Sequence, residues 1–78
     1  MSDKVRAIIE VLEEQRVKEW KSYKTNDEAY EFYKRKGTAE AHHLAAAAAR
    51  SAHDNFERYS VLSEVIMEAK GIMFAEEE

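Results

Sequence analysis

Side chains with the means to hold a ligand crowd together between Arg16 and Lys36. Lys18, Lys21, Lys24, Lys34, Arg35 and Lys36 alternate there with Trp20, Tyr23, Tyr30, Phe32 and Tyr33. Cations neutralise phosphates and flat rings stack on bases, so the mixture suits a phosphate-bearing ligand: a nucleotide, a cyclic oligonucleotide or a single strand. On that reading Lys18, Lys21, Lys24, Tyr33, Lys34, Arg35 and Lys36 are the ligand-binding candidates. The last three would grip phosphates at one end of an assembly. A competing reading places Trp20, Tyr23 and Tyr30 on a core stripe and leaves the lysines as a solvated face. The net charge of −4 also opposes broad nucleic-acid binding.

His42, His43 and His53 raise the question of a metal. His42 and His53 share a helical face but stand about 16 Å apart along a helix, too far for one ion. Glu40 and His43 form a Glu-x-x-His step, the spacing used in di-iron helix bundles. Such sites need further inward-facing carboxylates, and Glu40 instead falls near Lys34–Lys36. The reading is therefore no metal and no cofactor, with His53 paired to Glu57 one turn on. Ser51 and His53 do not make a nucleophile and base, because side chains at i and i+2 of a helix diverge. No glycine-rich phosphate loop is present, and we expect no enzymatic activity.

Composition narrows the field further. Seventy-eight residues make one small domain, and a chain this short buries a limited core. Without cysteine there is no disulfide and no Cys-type zinc site, in keeping with a reducing compartment. No apolar run approaches the roughly 20 residues that span a bilayer, and the N-terminus has no hydrophobic signal core. The expected setting is cytoplasmic, with no membrane contact. Residues 5–12 are flanked by acids rather than the lysines of a membrane-surface helix. Charge is unevenly spread: residues 16–36 carry seven basic and four acidic side chains, and residues 37–78 carry three basic and eight acidic. A basic waist thus lies between acidic ends.

Two long helices must position these groups. Proline is absent, and the two glycines are Gly37 and Gly71. Lys34-Arg35-Lys36 puts three cations where a helix dipole favours them. Gly37 can then take the left-handed conformation that ends a helix, and Thr38 can cap the next one. The spacing predicts an all-α antiparallel hairpin: helix about 3–36, turn 37–38, helix about 39–71, acidic tail 74–78. Ser2 or Asp3 is the candidate cap of the first helix. Val5, Ile8, Ile9 and Leu12 start its apolar stripe, which continues through Trp20, Tyr23 and Tyr30. Thr25 and Glu28 form a candidate capping box, so the first helix either runs through residues 25–27, bends, or breaks there. The second arm carries Ala41, Leu44, Ala45, Ala48, Ala52, Phe56, Tyr59, Leu62, Ile66, Ala69 and Met73 on one face. Its alanine run would oppose the large rings of Trp20–Tyr33. Gly71 is the expected stop, with Ile72 folded back onto Met67.

Apolar residues remain beyond those stripes. Val61, Val65 and Ile72 lie on a second side of the second arm, and Val11 and Met67 also fall outside the main faces. Leaving such surface in water is unfavourable by roughly 25 cal/mol per Å². Self-association into a four-helix bundle or larger ring removes it. The self-association candidates are Val61, Val65, Ile72, Val11 and Met67. In length, acidity, lack of cysteine and its alanine-rich second arm, the chain resembles small phage-encoded accessory proteins. Many of those are oligomeric helical hairpins that bind host proteins or sequester ligands. The resemblance implies a protein partner and carries no residue role. The leading expectation is a non-enzymatic, homo-oligomeric binding or inhibitory module. The alternative is a sequestering protein for a phosphate-bearing ligand.

Overall fold

The computed structural model describes residues 2–77. α1 spans Ser2–Lys36 and α2 spans Ala39–Glu77. They pack antiparallel along their lengths as a rod of 59 × 14 × 12 Å. Asp3 falls inside the first turn of α1, where its charge complements the positive end of the helix dipole.

The turn is built as its residues demand. Gly37 has φ of +70°, a conformation that an added side chain would strain. Lys34, Arg35 and Lys36 occupy the last turn of α1. Thr38 caps α2: its Oγ1 accepts from the Ala41 N–H at 3.1 Å, and its carbonyl accepts from the His42 N–H at 2.9 Å.

At Thr25 one of the open alternatives is realised, and at Gly71 an expectation is corrected. Thr25 does not cap a new helix. Its hydroxyl donates to the Lys21 carbonyl at 3.0 Å, and α1 runs unbroken through residues 25–27. Gly71 does not end α2 and has no positive φ. Ile72, Met73 and Phe74 propagate the helix through the expected acidic tail as far as Glu77, while Glu78 lies outside the described residues. A glycine stops a helix only by leaving helical φ, and nothing after Gly71 requires that.

The seam between the helices has a strict period. α1 contributes Val5, Ile9, Leu12, Arg16, Glu19, Tyr23, Asn26, Tyr30 and Tyr33, in alternating steps of four and three; none is exposed. α2 contributes Ala41, Ala45, Ala48, Ala52, Asn55, Tyr59, Leu62, Ile66, Ala69 and Met73, in the same rhythm. A 3.5-residue period is that of a coiled coil, in which each helix under-winds to keep one stripe on its partner. Leu44 and Phe56, expected on the core face, stand outside this seam and are exposed, as is Trp20. Asn55 takes the place that a purely apolar pattern gave to Phe56.

Candidate interaction surfaces

The middle of the seam is polar. Asn55 is only 6% exposed and bonds in two directions. Its Nδ2 donates to Glu19 Oε2 at 2.9 Å, and its Oδ1 accepts from Asn26 Nδ2 at 2.8 Å. A carboxylate can only accept, so Glu19 dictates which way both amides face. Glu19 Oε1 also meets Arg58 Nε at 3.1 Å. The Asn55 amide, and then Arg58, hold the Glu19 carboxyl below its ordinary value, against the opposing effect of partial burial. No buried side-chain polar atom among the described residues lacks a partner. Sequence reasoning passed over this cluster because each member reads as an ordinary surface residue until the seam is known.

On one side of the seam lies an aromatic flank. Trp20 stacks on Tyr23 at 5.3 Å and meets Tyr59 at 5.2 Å. Phe56 touches Tyr23 at 5.8 Å and Tyr59 at 6.4 Å between ring centroids. The four rings close on one another, and Lys24 Nζ sits 5.8 Å above Trp20. Arg16, Val17 and Lys21 border a shallow depression there.

The ligand-binding candidates do not converge. Lys24, Lys34 and Lys36 lie over the rings of Trp20, Tyr30 and Phe32. Arg35 borders a depression shared with Asp27, Glu28 and Glu31. Lys18 and Lys21 share another with Glu10, Glu13 and Glu14. Tyr33 belongs to the seam. Lys18 and Lys36 are separated by about 27 Å of helix. Each cation therefore has local company, and no common focus gathers them.

The opposite side is an aliphatic flank. Ala7, Ile8, Val11, Leu12 and Gln15 line one shallow groove; Gln15 continues into a second with Lys18, Arg58, Val61 and Leu62. Ile8, Val11, Val61, Val65 and Ile72 are 41–58% exposed. Val65 and Ile72 are seven residues apart and so repeat on this flank, with Val61 one turn away. Met67, 75% exposed, is two residues from Val65, which turns it about 160° away, toward the aromatic flank. The structure thus groups Val11 with Val61, Val65 and Ile72, and separates Met67 from them.

His53 Nε2 meets Glu57 Oε1 at 3.0 Å. Among the described residues no three His, Asp or Glu side chains gather as a metal site would need. Nor, among the described residues, is any helix long and apolar enough to cross a membrane. Comparison with known proteins finds no family model, no curated protein and no solved structure that matches this chain.

Proposed function

We propose that the chain is a non-enzymatic helical binding module that works as a homo-oligomer, its hairpins joined through the aliphatic flank. The observation that carries this reading is the run of half-exposed aliphatic side chains contributed by both helices, Ile8 and Val11 from one and Val61, Val65 and Ile72 from the other. A single hairpin buries mainly alanines besides Ile9 and Ile66, so it gains little from its own seam. Covering the flank removes apolar surface from water at roughly 25 cal/mol per Å².

Sedimentation equilibrium over a dilution series tests the reading. The wild type should show a mass that is a multiple of 9.1 kDa, falling on dilution. Val65→Glu places a charge in the proposed interface and should bring the mass to one chain at all accessible concentrations. A fully helical 9.1 kDa wild type at high micromolar concentration would overturn the proposal.

A further inference from the structure

We infer that the occupant of the aliphatic flank is a second copy of this chain laid along its whole length, so that two hairpins close into a four-helix bundle. The inference rests on the self-association proposed above and extends it to the turn end of the rod, to Phe32 and Leu44.

The seven-residue repeat carries this extension. Leu44 precedes Val65 by 21 residues and Ile72 by 28; Phe32 follows Val11 by 21. Multiples of seven return to the same side of a coiled coil with a 3.5-residue period. Phe32, 55% exposed, and Leu44, 44% exposed, therefore lie on the flank that holds Ile8, Val11, Val65 and Ile72 at the far end. Between these bulky ends the flank carries Ser22, Ala29, Ala47 and Ser51, with Lys18, Thr25, Asp54 and Arg58 beside them. Small side chains there let a neighbouring helix come close, and large ones at the ends fill the space beyond.

Charge separates the flanks on α1 alone. Between residues 4 and 36, the outward positions of α1 on this flank hold three charged residues, Lys4, Lys18 and Lys36, among ten; those on the aromatic flank hold seven among nine. On α2 the balance reverses: between residues 42 and 75, Asp54, Arg58 and Glu68 lie on the aliphatic flank and Lys70 on the other, so total charge does not choose between the flanks. Arg58 is already bonded to Glu19, so covering it buries a pair. Size fits. A face of 59 × 14 Å offers roughly 800 Å², close to the about 800 Å² that each partner gives a standard interface. A self-complementary face of this kind closes with two-fold symmetry.

The test combines small-angle scattering of the wild type with sedimentation of Phe32→Glu, Leu44→Glu, Val65→Glu and Met67→Glu. Whole-length closure predicts a two-chain mass with a maximum dimension close to that of one hairpin. Phe32→Glu, Leu44→Glu and Val65→Glu should each weaken association at least about tenfold. Met67→Glu, on the other flank, should leave it unchanged. A two-chain particle much longer than one hairpin would overturn whole-length overlap. Dissociation by Val65→Glu with no effect of Phe32→Glu or Leu44→Glu would do the same. Either result leaves self-association standing. A trimer or larger ring would overturn the two-hairpin closure, and a monomeric wild type would overturn both readings. The scattering arm needs no variant, so it decides even if a substitution unfolds the chain.

Discussion

Asn55 shows how one side chain can govern a seam. It is the buried polar residue in a row otherwise made largely of alanine, aromatic and aliphatic positions, and it ties α2 to two places on α1, Glu19 and Asn26. A polar residue in a coiled-coil seam disfavours every register that would leave it unpaired. Asn55→Ala removes both bonds and should destabilise the hairpin by about 1–3 kcal/mol at neutral pH. Because Glu19 is held below the ordinary carboxylate value, its contribution is full above that value and is lost as pH falls through the lowered folded-state value. The gap between wild type and Asn55→Ala should therefore narrow on acidification. Urea titrations at neutral pH and at a pH below the Glu19 range measure it, and a gap that does not change with pH would show that the ionised carboxylate is not involved. The sequence alone hides this cluster. Asparagine carries no periodic signal of its own, and it sits beside Phe56, which draws the eye to the wrong position.

At the scale of elements, the two glycines separate what local chemistry can specify from what it cannot. The turn is readable because three cations, a glycine and a threonine act on their immediate neighbours. Gly71 is not, because its conformation is set by the residues after it, and Met73, two positions on, belongs to the seam. The glycines should respond with opposite signs. Gly37→Ala forces a side chain into the left-handed region and should destabilise by about 1 kcal/mol. Gly71→Ala adds a methyl group in open space to a helical residue and should stabilise by about 0.5–1 kcal/mol. Denaturant midpoints of the two variants settle the comparison; a Gly71→Ala variant less stable than wild type would contradict the continuous helix. Thr25 teaches a related lesson. Its hydroxyl satisfies itself on the preceding turn, so a cap signature in the sequence needs no break in the backbone.

For the molecule as a whole, the hairpin, its antiparallel order and its rod-like shape are legible from helical spacing and one short turn. The sides of the rod are not. An apolar excess on α2 can be counted in the sequence, but assigning it to a flank needs the seam, and the seam includes Arg16, Glu19, Asn26 and Asn55, which no apolar pattern selects. That is why the sequence groups Met67 with Val65 although the two diverge around the helix. It is also why Phe32 and Leu44 do not join Val65 on sequence grounds. A thin rod with so small a buried core should depend on its neighbours. If two chains share the aliphatic flank, the thermal midpoint should rise with protein concentration by mass action. A midpoint that does not move over a roughly hundredfold range would favour a self-sufficient hairpin.

The single tight turn also sets an order of events in time. The bonds that span the seam enclose ever longer stretches of chain away from Gly37: 29 residues for Asn26 with Asn55, 36 for Asn55 with Glu19, and 57 for Lys70 with Glu13. Closing the shorter loops costs less chain entropy, and topologies rich in such contacts fold faster. The segment beside the turn is also the alanine run, the strongest helix former in the chain. Folding should therefore start at Gly37 and zip toward the termini. Ala48→Gly would then slow refolding, whereas Ile9→Ala would mainly speed unfolding. Stopped-flow kinetics showing the reverse would place the nucleus at the open end. Zipping from the turn leaves the Val5–Leu12 and Leu62–Met73 segments unpaired longest, so the part of the rod richest in aliphatic side chains would be the last to close.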